Sequence, residues 1–147
     1  MIKYEVHVDD YGTNRWFLNN KLHRTDGPAT EWADGHKEWY LNGNLHRTDG
    51  PAVELTDGGK YWYLDGKLHR TDGPAVEYSD GGKYWYLDGK LHRTDGPAVE
   101  YSDGTKAWYL NGKNLTEAQW RKRMKPKAPC EGRVIEVEGV RYRLVAE

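Results

Sequence analysis

Disulfides, membrane spans and an excess of one charge are all missing from this chain, and each absence removes a class of protein. Its single cysteine, Cys130, has no partner for an internal disulfide and falls in a Pro- and Lys-rich stretch that gives a thiol no activating surroundings. No run approaches the roughly 20 apolar residues of a membrane helix. The opening Met1-Ile2-Lys3-Tyr4 lacks the apolar core of a secretory signal. The expectation is a soluble cytoplasmic protein with no membrane partner. A formal net charge of −1 argues against a surface devoted to neutralising nucleic-acid phosphates. P-loops, nucleophile elbows and dinucleotide fingerprints are absent as well. Hydrophobic residues make up only 37% of the chain, too few for a thick aliphatic core.

Aromatic residues fill that gap, at 13% of the chain, and they come with a rhythm. Trp16, Trp39, Trp62, Trp85 and Trp108 stand 23 residues apart, and a nearly fixed phrase travels with each. A period in this range marks a repeat architecture. Tyr and Trp bury large areas while keeping a polar handle, so aromatic packing can hold together a thin, elongated sheet. The clearest copy starts at Tyr61-Trp62-Tyr63-Leu64 and passes through Asp65-Gly66, Lys67-Leu68-His69-Arg70 and Thr71-Asp72-Gly73-Pro74 to Ala75-Val76-Glu77-Tyr78.

Each copy carries three turn signals. The first is Asn42-Gly43, Asp65-Gly66, Asp88-Gly89 and Asn111-Gly112, with Asn19-Asn20 as a weaker version; these residues tolerate the positive φ of a type I′ hairpin turn. A two-residue loop pairs Leu64 with Lys67, Tyr63 with Leu68, Trp62 with His69 and Tyr61 with Arg70. Cross-strand partners share a face. One face of the hairpin then carries Trp62, Leu64 and His69, and the other Tyr61, Tyr63, Leu68 and Arg70. Thr-Asp-Gly-Pro, as in Thr71 to Pro74, turns the chain again, and Asp34-Gly35, Asp57-Gly58, Asp80-Gly81 and Asp103-Gly104 close each copy. Short strands with turns at such close intervals predict an all-β meander in which each unit touches mainly its neighbours.

In length and turn positions, Tyr61 through Lys83 resembles a MORN repeat: an aromatic start, an Asn-Gly-Lys turn, a following His and a Tyr-x-Asp-Gly ending. It is more closely similar to the WYxNGxxHRxDGPA variant of phage and giant-virus reading frames, over roughly Tyr11 to Asn114. Where MORN repeats have His-Gly-x-Gly, this chain has His69-Arg70-Thr71-Asp72-Gly73-Pro74, so the second turn differs. The resemblance implies an array of β-hairpins with a non-catalytic binding role. Through its phage-like variant it also implies an accessory or host-interaction protein, such as an inhibitor of a host defence component.

Both ends depart from the repeat. Ile2, Tyr4, Val6 and Val8 alternate with Lys3, Glu5 and His7, the pattern of a half-buried strand that caps the open edge. After Asn114, Thr116 with Gln119 forms a capping box and Leu115 with Trp120 a hydrophobic staple, predicting a helix that runs to about Met124 and ends before Pro126. Arg121, Lys122, Arg123, Lys125 and Lys127 suit the solvated C-terminal end of a helix. Arg133 to Val145 then reads as a hairpin turning at Glu138-Gly139. It places Ile135, Val137, Val140, Tyr142 and Leu144 on one face, and Glu136 opposite Arg141 on the other. A lone hairpin is marginal in water. It is expected to dock on the array or to form a homodimer through those residues together with Trp120. The organisation is thus a repeat array at 1–115, a capping helix at 116–126, and a linker with terminal hairpin at 127–147.

Four histidines, His23, His46, His69 and His92, each stand beside an Arg and three residues before an Asp. Equivalent residues of successive hairpins lie roughly 10 Å apart at the usual strand spacing, too far to share a zinc ion with its ligands at about 2.0–2.3 Å. The expected roles are packing of His on Trp and turn capping by Asp, with no catalytic residue, metal or cofactor. The phrase Trp62 to Lys67 also resembles cell-wall-binding repeats, but those run near 20 residues and follow a secretion signal. Positions that differ between copies are the ones free to recognise a partner. These are Arg15, Glu38, Tyr61, Tyr84 and Ala107, and Asp9, Trp32, Leu55, Tyr78 and Tyr101. Trp32, Glu38, Tyr61, Tyr78, Tyr84 and Tyr101 are therefore the candidate contacts for a protein partner. Aromatic slots between copies, suited to a carbohydrate, lipid headgroup or nucleotide, are the alternative.

Overall fold

A computed structural model describes residues 3–125, 134–137 and 140–143 of the chain. Strand follows strand in an antiparallel meander that builds one 12-stranded sheet. Each internal copy gives it two short strands, for example Val53–Glu54 and Lys60–Tyr61, then Val76–Glu77 and Lys83–Tyr84. Each also projects a small hairpin to one side, such as Tyr63–Leu64 paired with Lys67–Leu68. The expected all-β array of repeated hairpins, with one short helix and a terminal hairpin, is what the chain forms.

The turn chemistry acts where the residues predict it. Asn42, Asp65, Asp88 and Asn111 have φ of 49–52°, and Gly43, Gly66, Gly89 and Gly112 have φ of 76–86°. Two consecutive positive φ values define the primed turn whose twist matches that of the strands. At the sheet turns the tip residue Gly58 has φ 95°, and the Asp57 carboxylate accepts the Gly59 N–H at 2.8 Å.

One predicted pairing fails. Tyr61 does not oppose Arg70; it lies between Val53 and Val76 in the long sheet. Trp62 is where the strand changes partner: its N–H donates to Ala75 O at 2.8 Å, and its carbonyl accepts the His69 N–H at 3.0 Å. Two returning segments thus share one side of the strand; between them Arg70 turns to the next copy, its N–H donating to Tyr86 O at 3.1 Å, and Thr71 to Pro74 lie outside the strands. Arg70 folds over the Trp62 ring at 4.0 Å, which puts it on tryptophan's face rather than tyrosine's.

The core is a thin stripe. Ala29, Ala52, Ala75 and Ala98 are fully buried, flanked by Val53, Val76 and Val99. The tryptophans are half-buried, and Trp16, Trp39, Trp62 and Trp85 each bond through their backbone N–H to the carbonyl of one of these alanines. Small residues suit a layer where backbones and aromatic rings meet closely.

The two ends differ in how well they close the array. At the start, Glu5–Val8 pairs with Asn14–Leu18, but Val6 and Val8 are 50% and 65% exposed. The half-buried strand expected there is therefore an exposed edge strand, because no layer covers its valines among the described residues. Ile2 falls outside them. At the far end, helix Glu117–Met124 starts at Thr116, whose hydroxyl accepts the Gln119 N–H while the Gln119 side chain takes the Thr116 N–H. Leu115 is buried, and the Trp120 indole donates to Arg93 O at 3.0 Å, fixing the helix on the last full copy. Beyond it, Val134–Val137 and Val140–Arg143 form a separate two-stranded sheet in the predicted register, Ile135 opposite Tyr142, Glu136 opposite Arg141 and Val137 opposite Val140. Pro126, Cys130, the turn at Glu138-Gly139, Leu144 and the side chains of Ile135, Val137 and Tyr142 lie outside what is described. Val140 is 52% exposed.

Candidate interaction face

Register sorts the long sheet into two unlike faces. Glu31, Lys37, Glu54, Lys60, Glu77, Lys83, Glu100 and Lys106 follow one another across the strands of one face, alternating in sign. The opposite face carries Thr30, Glu38, Val53, Tyr61, Val76, Tyr84, Val99 and Ala107. Alternation along each strand returns Trp32, Leu55, Tyr78 and Tyr101 to this second face as well.

On the charged face each copy closes the same network. Arg70 stacks on Trp62 and donates from Nε to Asp72 at 2.9 Å and from Nη1 to Pro74 O at 3.1 Å and Glu77 at 3.0 Å. Arg24, Arg47 and Arg93 repeat the arrangement. The Arg hydrogen bond is the first cause that holds the carboxyls of Asp26, Asp49, Asp72 and Asp95 below their ordinary range. Gly73 is glycine for a spatial reason: a Cβ there would meet Arg70 Cζ at 3.0 Å. His69 has a different role from the expected packing on Trp. Its Nδ1 lies 3.0 Å from Asp88 Oδ1 and receives the Asp88 N–H at 3.2 Å, so it ties one copy to the turn of the next. His23, His46 and His92 make the same link to Asn42, Asp65 and Asn111. Clefts of about 440–580 Å³ separate successive copies, each lined by two Arg–Asp pairs, a Trp and a His. Among the described residues no three His, Cys, Asp or Glu side chains converge as metal ligands, and no helix is long and apolar enough to cross a membrane.

The other face carries all six candidate contacts, four of them in one row. Tyr61, Tyr78, Tyr84 and Tyr101 run edge to face at centroid separations of 5.9, 5.3 and 5.9 Å. Tyr78 and Tyr101 are 43% and 44% exposed, whereas Tyr84 between them and Tyr61 at the end of the row are half-buried. Trp32 and Glu38 make a neighbouring but different group. Trp32 stacks on His36 at 4.1 Å, and Glu38 accepts the Tyr40 hydroxyl at 2.8 Å. His36 Nε2 is buried without a hydrogen bond, 3.4 Å from Glu38.

Burial is the main cause that raises the phenol pKa of Tyr61, Tyr63, Tyr84 and Tyr86, with smaller contributions from one another, from Tyr78 and Tyr101, and from nearby carboxylates. Tyr40 is pushed furthest, by burial and then by Glu38. Tyr40, Tyr63, Tyr86 and Tyr109 form a second row beside the first. They repeat from copy to copy and so read as packing residues, yet the alternation that puts Tyr61 and Tyr63 on one face already implied that they widen the aromatic surface.

A comparison with protein-family models yields no match, and neither does one with curated proteins.

Proposed function

We propose that this protein is a non-catalytic scaffold that binds another protein through the tyrosine face of its sheet. The observation that carries the reading is the continuous row Tyr61, Tyr78, Tyr84 and Tyr101, with Tyr78 and Tyr101 exposed to solvent, on the one face where the copies differ. Large, rigid side chains with a polar tip suit an interface, because they bury area at small entropic cost. The resemblance to phage-encoded repeats makes a host protein the expected partner and an accessory, anti-defence role the expected setting. Replacing Tyr61, Tyr78 and Tyr84 together by Ser should abolish partner capture while leaving the melting temperature within a few degrees. Undiminished capture by this variant would remove the face from consideration.

The clefts between copies favour a second reading, a small anionic or aromatic ligand held between two arginines and a tryptophan. Their polar groups already bond to one another, which weakens it. A ligand panel read by thermal shift decides the matter: saturable stabilisation lost in Trp62→Ala and kept in the tyrosine variant supports the clefts.

A further inference from the structure

We infer that the segment recognised by the tyrosine face is a basic, extended polypeptide carrying a cationic side chain at every third residue. The inference rests on the protein-binding reading above and adds the chemistry of the partner.

Charge is the first argument. The strand lysines Lys37, Lys60, Lys83 and Lys106 fall by register on the opposite face, and Arg24, Arg47, Arg70 and Arg93 join them there through Glu31, Glu54, Glu77 and Glu100. Carboxylates edge the tyrosines instead. A Cβ built on Gly82 would lie 3.1 Å from Asp80 Oδ1, 3.4 Å from the Tyr78 ring and 3.7 Å from the Tyr84 ring, so one small space touches a carboxylate and two aromatic edges. Asp57 and Asp103 occupy the same turn in the copies on either side, and each uses Oδ1 to hold its own turn, accepting the Gly59 and Thr105 N–H groups. Negative charge beside aromatic rings attracts a guanidinium or ammonium and repels phosphate. Nucleic acid and anionic lipid are therefore the wrong chemistry for this face.

Spacing is the second argument. Every copy adds two strands, so equivalent positions such as Tyr61 and Tyr84, or Asp57 and Asp80, recur at roughly 9.5 Å along the array. A polyproline-type helix repeats every three residues at about 9.3 Å. A chain lying along the array in that conformation presents residues i, i+3 and i+6 to successive copies in register. Arginine fits best, because its planar group stacks on tyrosine and forks toward a carboxylate.

The test uses the full chain and labelled peptides read by fluorescence anisotropy. One peptide has four Arg-Pro-Pro triplets, a second has the same composition with its arginines contiguous, and a third has Glu in place of Arg. Wild-type protein should bind the first roughly tenfold or more tighter than the third, the gap narrowing with added salt. The triple variant Asp57→Asn, Asp80→Asn, Asp103→Asn keeps the oxygen that accepts each turn N–H and removes the charge, at the further loss of the Ser79 hydroxyl's bond to Asp57 Oδ2; it should lose roughly tenfold in affinity for the first peptide. The contiguous peptide should bind more weakly than the triplet peptide. Equal binding of the Glu peptide, or unchanged affinity of the Asn variant, overturns the inference. The two readings separate cleanly: binding of the Glu peptide that is lost with Tyr61, Tyr78 and Tyr84 would leave the tyrosine face as an interface and sink its basic partner.

Discussion

The two faces of the sheet differ in what they repeat. On the charged face, Trp, Arg, Asp, Gly and Glu recur in every full copy, and each residue has a partner within the copy or in the next. On the other, the same two positions hold an Asp9–Arg15 ion pair, then Trp32 with Glu38, Leu55 with Tyr61, Tyr78 with Tyr84, and Tyr101 with Ala107. One face therefore spends its identity on folding, and the other adds to its buried valines a set of varied side chains that the fold does not require. Substitutions on the first should be read in stability, and on the second in binding.

The largest break in that contrast is Trp62→Ala, which leaves Arg70 without its ring. It should cost about 3 kcal/mol, measured by chemical denaturation. A loss below 1 kcal/mol would mean that the tryptophans are not a main support of the core. Next comes Arg70→Lys. A lysine keeps the charge but cannot stack and bond three acceptors at once, so a loss of about 1–2 kcal/mol is expected. Gly73→Ala should cost about as much through crowding of the same guanidinium.

Acid provides a gentler probe of the same face. Asp26, Asp49, Asp72 and Asp95 have folded-state pKa values below their unfolded value, so the unfolded chain binds more protons as pH falls. Their contribution is fully present above the ordinary carboxylate range, near 4, and is lost as pH drops through the lowered folded values. The melting temperature should hold from neutral pH to about 5 and decline below it, and Asp72→Asn should flatten the decline. Smallest of all is Tyr78→Ser, expected to change stability by about 0.5 kcal/mol or less despite sitting at the centre of the candidate interface. A loss as large as that of Trp62→Ala would erase the distinction between the faces.

Much of this fold was legible in the residues because each turn is specified within two to four positions. Asp65-Gly66 set the hairpin register, Thr116 and Gln119 set the helix start, and comparison between copies separated Tyr78 from Trp62. What was not legible depends on contacts between segments. Nothing local to Arg70 shows that it turns from its own hairpin to Tyr86 of the next copy, since that follows from Trp62 exchanging one strand partner for another. His69 reaches a turn residue 19 positions ahead, in the next copy, and that separation has no signature in strand alternation. The exposed Val6 and Val8 show the same limit, because an apolar alternation requires a covering layer and cannot supply one.

The His-to-turn link also makes the array directional. Each internal copy offers a histidine forward and receives one at its Asn or Asp turn, and the series stops where Leu115 stands in the histidine's place and the helix begins. Because every internal junction is built the same way, excising residues 62–84 would place Trp85 after Tyr61 and restore an unaltered joint. Length is thus a quantity that whole-unit gain or loss can adjust in steps of 23 residues, lengthening or shortening the recognition surface without redesigning its support.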